Sequence, residues 1–298
     1  MGGTGAARKR LPLATGVRDA AKKTLRAYGM ATAPARALPD FIVIGGKRCG
    51  TTSVFRNLSR HPAFEPLFPS AQEIKGAHFF DTNFDKGMTW YHSHFPLRIR
   101  LRDGDGQAEA RFTGEASPYY LFHPHAPRRA RAHVPAAKLI VLLRNPVDRA
   151  FSHYRERVRH GVEELTFEEA IEAEDQRLAG EEERLLRDEG YYSFAHEHLS
   201  YLRQGRYADA LERWLSLFPR DQFLFLRSED MFVDPRRVYD LVTAFLDIPP
   251  LPADTFERYN WHPGDPMRAE TRSALGERFA FDNARLSGLL DFDVSGWD

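Results

Sequence analysis

The sequence predicts an α/β fold with a central parallel sheet flanked by helices, and three observations carry that prediction. Short apolar runs stand at Phe41-Ile42-Val43-Ile44, Leu139-Ile140-Val141-Leu142-Leu143 and Phe223-Leu224-Phe225-Leu226. Continuous apolar runs of this length fit strands buried on both faces of a parallel sheet. Helical patterns alternate with them: Thr52 to Ser59, closed before His61-Pro62; Val147 to Arg159; an amphipathic stretch with Tyr207, Leu211, Trp214, Leu215 and Phe218; and Arg236 to Leu246. Glycines gather directly after the first run. Strands alternating with helices give a doubly wound sheet, whose ligands bind outside the carboxyl ends of the strands.

Composition bounds the function. The 298 residues are 42% hydrophobic and 28% charged, which excludes a disordered or collagen-like chain and suits one large domain. The 42 basic residues equal the 42 acidic ones, and a neutral sum argues against wholesale nucleic-acid binding while saying nothing of local basic pockets. Cys49 is the single cysteine, so a disulfide framework and a multi-cysteine zinc site are excluded and a reducing, cytoplasmic location is expected. No apolar run approaches the ~20 residues that span a bilayer.

Charge is unevenly spread. Residues 1–39 form a basic N-terminal arm with Asp19 as its lone acid, read either as a flexible, solvated extension or as an amphipathic helix over Val17 to Met30 that touches a membrane surface or a partner. Residues 40–298 are taken as one α/β domain. Within them, Glu163 to Glu189 holds twelve acids against three arginines, read as a solvated helical face or insertion.

Gly45-Gly46-Lys47-Arg48-Cys49-Gly50-Thr51-Thr52 lies between the first strand and the first helix, where backbone N–H groups and a helix N-terminus hold an anion. Against the nucleoside-triphosphatase pattern G-x-x-x-x-G-K-[ST], the glycine spacing is right, but Thr51 takes the lysine position and the lysine has moved inside the loop. The second buried strand ends in Arg144, where those enzymes carry a magnesium-holding aspartate. A phosphate loop without a metal is the reading; a purely structural turn is the alternative. Arg144, at a strand end, projects toward the same crevice, and Ser152 follows in the next helix with Arg149 between them. An arginine fork plus a hydroxyl suits a phosphate monoester. The plain alternatives are a surface salt bridge and an ordinary helix serine.

The loop up to Ser53 and the segment Leu139 to Tyr154, containing Arg144-Asn145-Pro146-Val147-Asp148-Arg149-Ala150-Phe151-Ser152, resemble the two cofactor signatures of sulfotransferases that use 3′-phosphoadenosine 5′-phosphosulfate (PAPS). His78-Phe79-Phe80-Asp81, Asp85-Lys86-Gly87, Trp90-Tyr91, Gly114-Glu115-Ala116-Ser117-Pro118-Tyr119 and Gly296-Trp297-Asp298 resemble the heparan sulfate and related carbohydrate branch. The resemblance covers about residues 40–298. It implies a P-loop-containing three-layer fold, PAPS as co-substrate with PAP as product and no metal, and a carbohydrate, glycolipid or small-metabolite acceptor.

Carried over residue by residue, the resemblance assigns Lys47, Arg48, Gly50, Thr51, Thr52 and Ser53 to the 5′-phosphosulfate, with Cys49 as a small side chain beside it, and Arg144 and Ser152 to the 3′-phosphate. Lys47 then stabilises the leaving oxygen. Relatives carry a glutamate base shortly before the His-Phe-Phe segment; Glu73 is the carboxylate nearby, with His78 as the rival base. Lys75 is assigned to the donor sulfate or acceptor, Glu115 and Tyr119 to the acceptor side, and Arg268 and Arg272 to a loop closing over the cofactor, although the family's Gly/Lys-rich spacing and nearby disulfide are absent there. The competing functions are a kinase-like phosphotransferase and a nucleotide-binding protein without catalysis.

Overall fold

A computed structural model describes residues 15–70, 74–101, 111–252, 256–259 and 265–297. Its centre is a parallel sheet of β1 (Phe41–Val43), β2 (Gly114–Ala116), β3 (Lys138–Leu143) and β4 (Phe223–Arg227) in the order β2-β1-β3-β4. Phe41 pairs with Gly114 on one side and Lys138 on the other, and Leu143 pairs with Arg227. Ile42, Val43 and all of Leu139 to Leu143 are fully buried, as a sheet covered by helices on both faces requires. Three strands are the apolar runs. The fourth, β2, is a short stretch around Glu115 that no hydrophobic pattern announces, and it forms the edge beside β1.

The helices are α1 (Thr15–Ala31), α2 (Thr51–Leu58), α3 (Gly87–His92), α4 (Ala126–His133), α5 (Pro146–Arg159), α6 (Phe167–Glu172), α7 (Glu174–Arg177), α8 (Glu181–Arg187), α9 (Phe194–His198), α10 (Tyr207–Leu215), α11 (Ser228–Val233), α12 (Pro235–Leu246) and α13 (Ala269–Ser287). Local chemistry explains the starts. Asn145 caps α5 by accepting from the Val147 and Asp148 backbone N–H groups, with Pro146 in the first turn, where its missing N–H costs nothing. Thr166 and Glu169 form a capping box on α6, and Asp234 caps α12. None of the helices among the described residues is long and apolar enough to cross a membrane.

Of the two readings of the basic arm, the helix is the one found in its described part. α1 keeps Leu25 and Tyr28 exposed, while Arg26 Nη1 donates to Ser93 Oγ at 2.9 Å. Farther on, Arg36 is buried, donates to the Phe95 carbonyl at 2.6 Å and lies 4.1 Å over the Phe68 ring.

The acidic stretch also differs from a solvated face. Glu163 accepts from Arg177 and from Tyr201 Oη, and Glu174 is buried and takes the backbone N–H groups of Leu202 and Arg203 at 2.7 Å each. These carboxylates moor the chain just after α9 to the body of the protein.

Candidate active site

Four segments converge outside the carboxyl ends of β1 and β3: the glycine loop, the start of α2, α5 and α9. Between them lies a cavity of about 760 Å³. Gly45 must be glycine because a Cβ there would fall 2.3 Å from the Leu142 backbone nitrogen, so the loop rests directly on β3. Gly50 closes the loop at φ +88°, the left-handed region, and a Cβ would also meet Met231 Cε at 2.5 Å. The turn aims the N-terminus of α2 at the cavity, which Thr51 and Thr52 line.

Around the wall stand Lys47, Arg48, Lys75, Arg144, Arg155, Arg157, Arg159 and Arg258, against the acids Asp148, Glu156 and Glu197. Cations concentrated in a recessed, partly dry site bind anions far more strongly than the same charges dispersed on a surface. Arg48 Nε donates to Ser152 Oγ at 3.1 Å and its Nη1 to Glu156 Oε1 at 3.2 Å, so the loop and α5 are joined across the cavity floor. Arg144 Nη1 reaches the Arg48 carbonyl at 3.5 Å, and Tyr207 Oη donates to the Arg144 carbonyl at 2.9 Å. Behind the loop, fully buried Arg149 bonds the Tyr201 carbonyl and, at 3.5 Å, the Lys47 carbonyl.

Lys47 Nζ donates to Glu197 Oε1 at 2.8 Å and to the Glu197 carbonyl at 3.0 Å, and stands 4.7 Å from the centre of the Tyr119 ring. Burial lowers the Lys47 ammonium below its ordinary value, and the attraction of Glu197 offsets only part of this. Burial likewise lowers the Lys75 ammonium, to about 8; its Nζ donates to Thr52 Oγ1 at 3.1 Å. His78 lines the cavity with Nδ1 bonded to Asp81 Oδ2 at 2.9 Å. Burial works to lower its pKa, but the Asp81 carboxylate prevails and holds it above the usual imidazole value. His153, between Ser152 and Tyr154, is buried on the same wall, and neither ring nitrogen has a hydrogen-bond partner. Burial and the nearby Arg149 keep this imidazole neutral, far below its ordinary pKa. An unsatisfied buried imidazole is costly, and the His153 ring packs against Tyr201 with 5.2 Å between ring centres.

The structure thus brings together Lys47, Arg48, Gly50, Thr51, Thr52, Lys75, His78, Arg144 and Ser152 from the residues singled out in the sequence. It separates others. Cys49 is buried with Sγ 3.6 Å from Tyr207 Oη, and burial pushes its thiol up to about 11. Ser53 is buried and its Oγ accepts from the Tyr259 backbone N–H at 2.9 Å, a structural tie instead of a ligand contact. Glu115 is fully buried, accepting from the Ala77 N–H, Ser117 Oγ, Tyr91 Oη and Tyr120 Oη at 2.6–3.3 Å; it braces the loop before His78 and offers nothing to an acceptor. Tyr119 is buried, with Oη 2.7 Å from His196 Nδ1, and acts through its ring beneath Lys47. Arg268 is exposed at the start of α13, and Arg272 pairs with Asp148 from a smaller neighbouring cavity; neither lines the main one. Arg258 and Tyr259 do line it, from a segment tied to α2 by the Asn57 side-chain amide, which donates to the Glu257 carbonyl at 2.9 Å and accepts from its N–H at 3.1 Å. Glu73 lies outside the described residues.

Glu197, Glu156, Arg157 and Arg258 were not legible as site residues. The acidic stretch preceding Glu197 carried the only signal, and it pointed to solvent.

With this geometry in hand, comparison with known proteins decides the family. Residues 38–262 match the sulfotransferase domain model. The chain belongs to the sulfotransferase family. It is 33% identical over 217 residues to the mouse bifunctional heparan sulfate N-deacetylase/N-sulfotransferase 2, covering 72% of this chain and 22% of the relative, and 30% identical over 226 residues to the Caenorhabditis elegans bifunctional heparan sulfate N-deacetylase/N-sulfotransferase 1, covering 76% and 24%. The chain therefore spans less than a quarter of the length of these curated relatives. Among solved structures, a sulfotransferase from Alicyclobacillus acidocaldarius superposes with a TM-score of 0.62 at 34% identity, covering 88% of this chain and 99% of that one. This sulfotransferase thus has the α/β fold that its sequence predicts.

Proposed function

We propose that this sulfotransferase moves the sulfuryl group of PAPS to a hydroxyl or amine of a carbohydrate or glycoconjugate acceptor by in-line displacement. The observation that carries the reading is that Lys47, Arg48, Gly50, Thr51 and Thr52 and the pair Arg144 and Ser152 line one cavity, two anion-binding groups for the two phosphate ends of one nucleotide. The printed names of the heparan sulfate relatives support a sugar acceptor.

In the displacement, the acceptor oxygen or nitrogen forms a bond to sulfur while the bond from sulfur to the bridging oxygen breaks. The electron pair of the broken bond goes to the 5′-phosphate. Lys47, a compact ammonium, neutralises that developing charge, which counts most in a site partly closed to water. The proton of the acceptor passes to a base. Glu73 is the assigned base, and His78 is the second reading because it lines the cavity and is oriented by Asp81. A base must be unprotonated, so with His78 the rate rises with pH through a value above the ordinary imidazole one, where the Asp81 carboxylate holds it.

Radiolabelled PAPS offered with sulfated and desulfated oligosaccharides, lipids and phenols tests the proposal. Label is expected in an oligosaccharide. Transfer to a phenol or lipid alone overturns the acceptor class, and label that stays on PAPS with every pool overturns the reaction. Glu73→Gln is expected to lower turnover about 10²–10⁴-fold while PAP still binds; retention of full turnover removes Glu73 as the base.

A further inference from the structure

Lys47 has an anionic partner built into the cavity wall. Two of its three N–H donors go to one residue, Glu197, through both the carboxylate at 2.8 Å and the carbonyl at 3.0 Å, and the Tyr119 ring lies on another side. Lys47 and Glu197 expose only 14% and 12% of their side chains, so water screens the pair weakly. The carbonyl of Glu197 is itself fixed by Gln204 Nε2 at 3.0 Å, and α9 is moored by Glu174 through the chain that follows it. Glu197 is thus held in place by the fold, whereas Lys47 sits on a flexible four-carbon stem. An ammonium that spends its protons on Glu197 cannot give them to a phosphate oxygen at the same time.

We propose that Glu197 is a positioning residue that parks Lys47 away from the leaving-group seat until the nucleotide arrives, when the 5′-phosphate takes the ammonium over. The proposal rests on the reading of Lys47 as the partner of the leaving oxygen. Two consequences follow from simple charge arithmetic. Binding exchanges one anionic partner of Lys47 for another, so the affinity that the 5′-phosphate gains is reduced by the strength of the Glu197 pair. A nucleotide without a 5′-phosphate does not compete for Lys47 and is indifferent to the parking.

The test uses the full chain and two nucleotides, PAP and adenosine 3′-phosphate, with dissociation constants from calorimetry. Glu197→Gln keeps the shape and removes the charge; it is expected to tighten PAP by roughly tenfold, the scale of coupling between adjacent charged groups, and to leave adenosine 3′-phosphate within about twofold. In a Lys47→Met background the same substitution is expected to tighten PAP by clearly less, because no ammonium is left to release. If Glu197→Gln does not fold, Glu197→Asp carries the same comparison, its shorter reach weakening the grip on Lys47. PAP binding that the variant leaves alone or weakens overturns the parking role. So does equal tightening with Lys47 absent, which is plain repulsion, or equal tightening of both nucleotides. A wild-type protein that binds no PAP overturns the donor assignment itself, and the parking role with it.

Discussion

Lys47 and Lys75 occupy similar positions yet differ in what balances their burial. Lys47 has a carboxylate at 2.8 Å; Lys75 donates to a threonine hydroxyl, and burial takes its ammonium down to about 8, with the Glu156 carboxylate offsetting part of this and the cations Lys47, Arg48 and Arg56 adding to it. A depressed ammonium is protonated again when an anion sits beside it, so above pH about 8 binding must take up a proton. PAP affinity is therefore expected to be level between pH about 7 and 8, where the phosphate monoesters are fully ionised, and to fall as pH rises beyond it, with Lys75→Met losing the decline. An affinity that stays flat up to pH about 9.5 in the wild type would put Lys75 out of the phosphate's reach. For Lys47, removing one charge-stabilising donor typically lowers kcat about 10²–10³-fold, and Lys47→Met is expected to do so in the label-transfer assay. His78 and Glu115 show the limits of residue-level reading. Both stood in segments that resembled family motifs, but His78 lines the cavity and Glu115 is sealed among four hydrogen-bond donors.

At the scale of elements, the loop between β1 and α2 depends on backbone geometry that few residues adopt. Gly50→Ala forces a side chain into the left-handed region at φ +88° and against Met231. The expected cost is about 1–3 kcal/mol, read from the midpoint of denaturant unfolding, together with weaker PAP binding because the α2 N-terminus is turned away; unchanged stability would mean that the loop relaxes freely. The acidic run between α5 and α10 is a second case. Glu174→Ala strips partners from the buried N–H groups of Leu202 and Arg203, with an expected loss of about 1–3 kcal/mol for each group left unsatisfied. A carboxylate on a solvated face would cost almost nothing to remove, so the same unfolding experiment separates the two views of this segment. Strand β2 was invisible beforehand for a physical reason: three residues, one of them glycine and one a carboxylate, carry no hydrophobic periodicity, and it is the pairing with β1 that makes them a strand.

For the whole molecule, net charge is zero while one wall carries eight cations and three acids. Nucleotide affinity should accordingly fall severalfold between roughly 50 and 300 mM salt as the Debye length shrinks, whereas an uncharged ligand in the same cavity would show no such loss. The sequence by itself determined the parallel sheet through its three apolar runs, the anion loop through Gly45 to Thr52, and the pairing of that loop with Arg144 and Ser152. The first two are local patterns, set by side-chain periodicity or by the turn a few residues must make, and the third follows from the rule that neighbouring parallel strands open their carboxyl ends on one crevice. Tertiary structure alone decided that Glu197 meets Lys47 across 150 residues of chain, that Arg258 lines the cavity while Arg268 and Arg272 do not, and that Ser53 and Glu115 serve packing. Those outcomes turn on distance and burial in space, and the strength of a charge pair or hydrogen bond depends on both, whereas spacing along the chain encodes neither.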